Sequence, residues 1–325
     1  MEDKGLVYVG KIIAIEAIPN ADQIVSATVV CGTGGKWKGV VRKAELGLGD
    51  MCEVYLPDAL IPEDDVRMGF MKACGWRVKM CRFRGAPSEV VIMPLDTRWA
   101  GWAWIGLELT EQKGVRKYSK PISSHLQGVA KGNFPAFIPK TDELNYQRHG
   151  ELVDQLVGLP YYITEKADGS STTAYRYKGE FGLCSRNLEL EYNPSNGYWA
   201  VCKKYGVEER LPEGIALQWE TCGPGIQGNT MGLAEIDGFA FSAYNIPEHR
   251  YLDRYELATL CSGVLNFPMC RCLASGSHFS KEGIETLGEG KYANGKEREG
   301  VVVRSMDNVG FMPISFKVIN LGYEK

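Results

Sequence analysis

The chain has 325 residues, of which 44% are hydrophobic and 24% are charged, and its formal net charge at pH 7 is −3. These values are those of a globular protein of about two domains, and they exclude a disordered chain. The sequence shows neither a run of roughly 18 uncharged apolar residues nor a signal-peptide pattern, so we expect an intracellular protein with no membrane partner. Because the net charge is small, nucleic acid would have to bind through a local patch.

The ten cysteines are scattered along the chain and form no C-x-x-C pair. This spacing is not that of a zinc site or of a disulfide framework. We therefore predict that most of them are buried thiols.

Short apolar runs separated by glycine- and aspartate-rich turns dominate residues 6–95. Strands at this spacing predict a small β-barrel, for which we choose the OB type. Residues 15–22 and the run that ends at Gly32 also resemble the start of OB-fold tRNA-binding domains. We assign residues 1–115 to an OB-fold-like β-barrel with an RNA-binding or accessory role.

Basic and apolar residues alternate from Trp76 to Arg84, which predicts a strand. Such a strand in an OB barrel would place its basic residues along a groove for RNA phosphates. The candidate RNA-binding residues are Arg77, Lys79, Arg82 and Arg84. A half-exposed strand without a ligand shows the same alternation, so both interpretations stay open.

A polar stretch from residue 108 to 130 connects this barrel to a second domain, which we assign to residues 116–325. Strands and shorter helical patterns alternate there, so the fold class is α+β on antiparallel sheets. Strands are predicted near 161–166, 172–177, 181–184, 215–220, 238–244, 300–304 and 314–319, and helices near 145–157, 196–205 and 253–261.

Lys166 ends an apolar, β-prone run and is followed by Ala-Asp-Gly-Ser, which places its amine at a strand end beside a tight turn. A Lys-x-Asp-Gly string by itself occurs in many proteins. Here five further motifs follow in order, at residues 184–187, 218–229, 241–246, 298–304 and 315–320.

Together these six motifs resemble those of the covalent nucleotidyltransferase superfamily, which comprises RNA ligases, DNA ligases and mRNA capping enzymes. Glu220 and the following Gly-Pro-Gly-Ile-Gln-x-Asn string are most similar to nick-sealing RNA ligases of the phage T4 second-ligase type. The β-rich domain before Lys166 and the segment 134–143 resemble RNA ligases that carry an N-terminal OB domain. The resemblance covers residues from about 130 onward in detail and the first 110 by architecture.

The resemblance implies an ATP-dependent RNA ligase that acts as a monomer with Mg²⁺ or Mn²⁺. Lys166 would take AMP from ATP with release of pyrophosphate. The AMP would pass to the 5′-phosphate of an RNA, and a 3′-hydroxyl would then displace it. The expected partner is RNA with 3′-OH and 5′-phosphate ends, in a duplex or at a nick.

The resemblance also assigns roles to single residues. Catalysis is implied for Lys166, for Lys317 at the α-phosphate, and for Arg186 at the ribose or 5′-phosphate. The implied metal ligands, direct or through water, are Asp168, Glu220 and Glu299. The implied nucleotide-binding set consists of Glu165 at the adenine amino group, Lys166, Arg186, Glu220, Tyr244 stacked on adenine, Arg304 and Lys317, with Phe239 and Phe241 as rival stacking residues.

Attack by the Lys166 amine requires its neutral form, whereas an ordinary lysine has a pKa near 10.4. Burial and the positive charges of Lys317, Arg304 and a metal ion would lower this pKa. We therefore expect Lys166 to have a depressed pKa.

The sequence departs from the family pattern at two sites. RNA ligases often carry two lysines one residue apart in the last motif, whereas only Lys317 is present here, between Ser315 and Ile319. Ligases with an OB domain tend to have an arginine where this chain has Asn145. Phosphate binding would then shift to Arg148 or Lys140.

Other functions remain compatible with the sequence. A DNA ligase or a GTP-using capping enzyme shares the lysine chemistry, but each normally carries its OB domain after the catalytic domain. A catalytically weak or inactive homologue would only bind RNA.

Overall fold

The computed structural model describes residues 5–99, 101–118 and 130–324. These residues form two compact units: the first lies within residues 1–121 and 146–150, and the second within 122–145 and 151–325. The domain boundary between residues 115 and 116 stays a prediction.

Antiparallel strands build the first unit. They are β1 (Val7–Ala17), β2 (Ile24–Val30), β3 (Lys36–Arg42), β4 (Met51–Tyr55), β5 (Ala59–Leu60), β6 (Cys81–Phe83), β7 (Ala86–Ser88), β8 (Val91–Pro94) and β9 (Arg116–Lys117). Five of them form one sheet in the order β3-β2-β1-β4-β8. Alternating apolar residues give this sheet two buried faces, one centred on Trp37 and Val54 and the other on Tyr55 and Met68. A Cβ on Gly10 would lie 2.6 Å from Val54 Cγ2, so the centre of β1 requires glycine.

The predicted strand over residues 76–84 is mostly absent, because only Cys81–Phe83 is extended and pairs with Ala86–Ser88. Trp76 has a φ of 60° and Arg84 a φ of 49°, values that end a strand. Arg77 forms an ion pair with Asp58 at 2.6 Å and its guanidinium lies 4.0 Å from the Tyr118 ring centroid. The four candidate RNA-binding residues therefore do not share one strand face, and their role stays a prediction.

The helix predicted near residues 145–157 is shorter in the structure and covers Gly150–Leu156. Residues 146–150 belong to the first unit. The Gln147 carbonyl accepts hydrogen bonds from Gly35 N at 3.1 Å and Thr33 Oγ1 at 2.6 Å, and its side-chain amide donates to Lys36 O at 2.6 Å. These bonds replace the helical ones, which explains why the prediction was wrong at this end.

A buried carboxylate ties the first unit together. Glu53 is fully buried and forms an ion pair with Lys113 at 2.5 Å and with Arg67 at 2.9 Å. The Tyr55 hydroxyl and the Asp96 N–H also donate to it. Glu53 thus links its own strand to three other segments, at Arg67, Asp96 and Lys113.

Replacing Glu53 by glutamine is expected to lower the free energy of unfolding of this unit by roughly 3–5 kcal/mol, because the Lys113 ammonium loses its closest counter-charge while buried. Urea unfolding followed by tryptophan fluorescence measures the change. Glu45→Gln, which removes an exposed ion pair with Arg42, is the matched control and should change stability by less than about 1 kcal/mol. Equal effects of the two substitutions would contradict the stabilising role of buried Glu53.

The second unit holds two antiparallel sheets. Its strands are β10 (Ala130–Asn133), β11 (Tyr161–Glu165), β12 (Ser170–Tyr177), β13 (Glu180–Ser185), β14 (Leu188–Leu190), β15 (Ile215–Cys222), β16 (Asp237–Asn245), β17 (Arg250–Tyr251), β18 (Cys272–Gly276), β19 (Gly300–Ser305) and β20 (Ser315–Ile319). The larger sheet has the order β10-β14-β13-β12-β15-β16-β17, and the smaller one β18-β11-β19-β20. The predicted strands of this region are all present.

Helices are short. They are α1 (Gly150–Leu156), α2 (Gly197–Lys204), α3 (Val207–Arg210) and α4 (Arg254–Ala258), with a π-helical turn at Thr259–Leu265 and 3₁₀ turns at Val66–Cys74, Thr97–Trp99 and Ile284–Thr286. Asp253 and Glu256 form a capping box that starts α4. Residues of α2 to α4 pack with Trp219 and Leu217 of β15 in the main core of this unit.

None of the helices within the described residues is long and apolar enough to cross a membrane. All ten cysteines lie in described parts of the chain and are free thiols, and most are buried as predicted.

Candidate active site

The nucleophile candidate lies where the smaller sheet ends. β11 pairs with β19 so that Glu165 faces Val301, and Lys166 N then donates to Gly300 O at 3.0 Å. Glu299 immediately precedes β19, so this register brings it next to Lys166. The Lys166 ammonium donates to Glu299 Oε2 at 2.7 Å.

A glycine then lets the chain turn from the smaller sheet into the larger one. A Cβ on Gly169 would lie 2.2 Å from the Thr221 carbonyl oxygen, so no other residue fits. In the strand that follows, Ser171 pairs with Glu220 of β15. The Glu220 carboxylate accepts a hydrogen bond from the Gly169 N–H. The glycine of the Lys-x-Asp-Gly string thus brings two sheets together at Lys166.

Three carboxylates control the charge of Lys166. Burial lowers the pKa of the Lys166 ammonium, but Glu299, Glu220 and Asp168 outweigh this effect and raise it above the ordinary value. The expected depressed pKa is therefore wrong, because these three carboxylates together outweigh the effect of burial. Burial, and then the charges of Glu299 and Asp168, raise the pKa of Glu220 to about 7 against the effect of Lys166.

Lys317 lies on β20, opposite Val302 of β19, and its N–H donates to Leu144 O at 2.7 Å. Burial and the nearby Lys166 lower the pKa of the Lys317 ammonium, while Glu299 raises it. Lys317 and Lys166 are thus close enough to repel each other. The structure brings both predicted lysines and the predicted acids into one site.

Arg304, predicted to contact the nucleotide, is buried among protein partners. It is 4% exposed and forms an ion pair with Glu143. Its Nε donates to Ser315 Oγ at 3.0 Å and its Nη1 to Phe241 O at 2.7 Å. Arg304 therefore links segments of the site through these three acceptors, and a direct nucleotide contact stays a prediction.

The predicted Arg186 is largely exposed and forms an ion pair with Asp142. Lys140 is one of the two residues to which we expected phosphate binding to shift. It lies beside Arg186 and donates to Asn187 Oδ1 at 3.0 Å. The other substitute, Arg148, belongs to the first unit, where its guanidinium donates to the Pro57 carbonyl oxygen.

The aromatic residues divide into two groups. Tyr244, predicted to stack on adenine, is 7% exposed and packs in a cluster with Tyr175. Its ring meets that of Tyr251 edge to face. Phe239 and Phe241 are only partly buried and pack with Ala167, the neighbour of Lys166. The two rival residues are thus the ones beside the nucleophile.

Glu165 has a buried oxygen with an unmet hydrogen bond. Its side chain is 8% exposed, and no donor among the described residues reaches Oε1. A buried acceptor without a partner is costly. Its position one residue before Lys166 suits a ligand that supplies the donor.

Two tyrosines that the motifs did not indicate complete the site. The Tyr292 hydroxyl donates to Lys166 O at 2.8 Å and accepts from Glu299 N at 3.2 Å. The Tyr323 hydroxyl donates to Asp168 Oδ2 at 2.6 Å. Both stand in irregular segments, where strand or helix periodicity carries no information about side-chain direction.

The acidic residues suit a divalent cation only in part. Carboxylate oxygens are the ligands that Mg²⁺ and Mn²⁺ prefer. Across the described ranges, however, no three acidic, cysteine or histidine side chains are arranged to hold one metal ion directly. The donor set therefore fits a cation held partly through water or substrate oxygens, which is one of the two arrangements that the resemblance implied.

Comparison with known proteins identifies the two parts of the chain. Residues 159–319 match the RNA ligase family model, and residues 6–95 match a model of an OB-fold domain. The chain belongs to the RNA ligase family. This membership confirms the predicted fold class, an OB-type β-barrel followed by an antiparallel nucleotidyltransferase domain. A search of curated protein sequences finds no match.

Solved structures of an RNA ligase from Naegleria gruberi resemble nearly the whole chain. An apo mutant is 28% identical with a TM-score of 0.79, covering 99% of this chain and 98% of that one. A mutant with ATP and Mn is 28% identical with a TM-score of 0.78, covering 97% of each chain. The ligase with PPi is 29% identical with a TM-score of 0.76, covering 98% and 97%.

Proposed function

We propose that this RNA ligase is adenylated on Lys166 by ATP and joins the 3′-OH and 5′-phosphate ends of RNA, with nick sealing or RNA repair as its task. The observation that carries the proposal is the site around Lys166, where one amine lies within reach of three carboxylates and a second lysine. This combination suits phosphoryl-type transfer, in which charge moves on phosphate oxygens, better than it suits proton shuttling.

In the first step the Lys166 nitrogen bonds to the α-phosphorus of ATP and the bond to pyrophosphate breaks. The amine must first lose its proton to solvent, which the positive charges of Lys317 and a bound cation would favour against the nearby Glu299 carboxylate, 2.7 Å away. Lys317 then stabilises the negative charge on the α-phosphate oxygens, where a fixed cation is most effective in the transition state.

In the second step a 5′-phosphate oxygen of RNA displaces Lys166 from the AMP phosphorus, which restores the amine and leaves an RNA-adenylate. In the third step a 3′-hydroxyl oxygen attacks the RNA phosphorus, AMP leaves and the hydroxyl proton passes to solvent. Arg186, exposed beside Lys140 and Asp142, is placed to exchange its carboxylate partner for an RNA phosphate.

The residues around Lys166 favour adenine over guanine as the base of the nucleotide. Glu165 Oε1 is a buried acceptor without a donor, and adenine presents an amino group where guanine presents a carbonyl oxygen. The half-buried rings of Phe239 and Phe241, next to Ala167, offer a surface for the base. We assign the stacking role to one of these two rings in place of Tyr244, whose ring is occupied with Tyr251.

Asp168, Glu220 and Glu299 are the residues that would hold Mg²⁺ or Mn²⁺, directly or through water. When bound, the cation would neutralise part of the carboxylate charge that keeps the proton on Lys166. A mutant of the Naegleria gruberi ligase has been solved with ATP and Mn, which supports ATP and a divalent cation as the bound species here.

Incubation of the protein with α-labelled ATP and Mn²⁺ or Mg²⁺ should transfer label to the chain, seen on a denaturing gel and removed by acid, as expected for a phosphoramidate bond to lysine. The measurement is made in parallel with α-labelled GTP, which should give none. Label from GTP alone would overturn the proposal in favour of a capping enzyme. Label from neither nucleotide would favour a homologue that only binds RNA.

The ligation step is tested on nicked duplexes that carry ribose or deoxyribose on each side of the break. We expect sealing when the 3′-OH strand is RNA, measured as joined product on a denaturing gel. Equal sealing of an all-DNA nick would indicate a DNA ligase.

A further inference from the structure

Residues that follow β20 reach back to the carboxylate of the Lys-x-Asp-Gly string. The Tyr323 hydroxyl donates to Asp168 Oδ2 at 2.6 Å, although 155 residues separate them. The Asp168 side chain is only 3% exposed. A short hydrogen bond to one carboxylate oxygen restricts rotation of the whole group.

Asn320 fixes the turn that presents Tyr323 to Asp168. Asn320 is 3% exposed, and its N–H donates to Glu299 O at 3.0 Å. Its side-chain amide donates to Arg298 O at 3.0 Å, and its Oδ1 accepts from Gly322 N at 2.8 Å. Tyr323 N donates to Asn320 O at 3.1 Å. The turn is therefore tied to the backbone that carries Glu299.

Core packing does not account for the position of Tyr323. The residue is only partly buried, and its neighbours Gly322 and Glu324 are exposed. These neighbours line a cavity of about 720 Å³ together with Thr230 and Lys296. The hydroxyl is therefore the group by which the residue acts on the site.

We propose that Tyr323 is a positioning residue that orients the Asp168 carboxylate for a divalent cation, with Asn320 holding the turn that presents it. The inference rests on the proposed function, since it takes Asp168 as one of the cation's ligands. Partners that orient a metal-binding carboxylate from outside the ligand set act on affinity, and their loss typically costs about 10- to 100-fold.

The test compares Tyr323→Phe with Tyr205→Phe. Both substitutions delete a hydroxyl that donates to an aspartate, and the control bond, Tyr205 to Asp237 at 2.7 Å, lies among residues without an assigned role in the reaction. Electron paramagnetic resonance counts bound Mn²⁺ in the presence of α,β-methylene-ATP and gives the Mn²⁺ concentration for half-maximal binding. The Mn²⁺ concentration for half-maximal labelling from ATP is measured in parallel.

Tyr323→Phe should raise both the Mn²⁺ concentration for half-maximal binding and the Mn²⁺ concentration for half-maximal labelling about tenfold or more. Labelling at saturating Mn²⁺ should stay near normal, and Tyr205→Phe should change neither value. Asn320→Ala should shift both values in the same direction as Tyr323→Phe. Values for Tyr323→Phe within twofold of the unmodified chain would overturn the inference, as would a lower maximal rate with unchanged half-saturation. Absence of label on the unmodified chain would instead overturn the proposed function, because direct Mn²⁺ binding is counted independently.

Discussion

Lys166→Ala is expected to abolish labelling of the chain by α-labelled ATP, a loss of at least about 10³-fold, since the covalent nucleophile is removed. Alanine also removes the counter-charge from Glu299, which pairs with Lys166 at 2.7 Å. A loss of activity could therefore reflect a disturbed site. A variant that keeps the charge and removes only the nucleophile separates these two causes.

Lys166→Arg is that variant. Arginine retains the positive charge beside Glu299, Glu220 and Asp168 but is not deprotonated in proteins. We expect labelling by Lys166→Arg to be as low as by Lys166→Ala, while thermal stability stays closer to that of the unmodified chain. Labelling by the arginine variant at more than a few per cent of the normal rate would show that Lys166 contributes its charge and that another group is the nucleophile.

Both variants should still join RNA that carries a chemically attached 5′-adenylate. That reaction begins after Lys166 has given up its AMP, so the amine takes no part in bond formation. Joined product from the adenylated RNA would show that the rest of the site remains folded. Loss of this reaction together with labelling would assign Lys166 a structural role.

The motif order predicted the centre of the site because its residues stand on or beside strands. Lys166 and Glu299 flank the paired strands β11 and β19, and Lys317 lies on the neighbouring β20. Antiparallel pairing brings such residues together whatever their separation in sequence. The alternating apolar pattern of each strand then indicates which side chains share a face.

The sequence could not predict the hydroxyl groups that connect these residues. Tyr292 and Tyr323 lie in segments whose direction depends on turns and side-chain hydrogen bonds, such as those of Asn320. The strand predicted over 76–84 was wrong for a related reason. Its alternation is real, but left-handed backbone at Trp76 and Arg84 bounds the segment, in which Arg77 forms a single bridge to Leu60 and Cys81–Phe83 a short strand.

Ser315 and Asn145, the two sites where the sequence departs from the family pattern, lie in the same hydrogen-bonded region of the structure. Ser315, which stands where many RNA ligases have a second lysine, donates to Glu143 Oε2 at 2.7 Å and accepts from Arg304. Burial opposes the charge of the Glu143 carboxylate, but Arg304 and Ser315 together hold its pKa below the ordinary value. Asn145 pairs through its backbone with Lys317. Both positions thus belong to a network that fixes the segment next to Lys317.

Lys317→Ala is accordingly expected to slow adenylation by roughly 10²- to 10³-fold, the usual cost of removing one fixed positive or hydrogen-bonding group from a transition state. The effect should fall on the rate of label transfer at saturating ATP more than on the ATP concentration for half-maximal rate. Single-turnover labelling with α-labelled ATP separates the two. Glu299→Ala should impair the same step, because Glu299 is both the partner of Lys166 and a proposed metal ligand.

Lys291→Ala is the matched control, since Lys291 is an exposed lysine whose ion pair with Glu297 is long, at 3.9 Å. Its labelling rate should stay within about twofold of normal. Lys317→Arg should recover part of the lost rate, because it returns a cation to β20, although the planar guanidinium does not reproduce the position of an ammonium. A labelling rate for Lys317→Ala within tenfold of the control would contradict the α-phosphate role. Lys140 and Arg186 would then be the candidates for the cation that stabilises the transferred phosphate. They are close together because Lys140 donates to Asn187, the residue after Arg186.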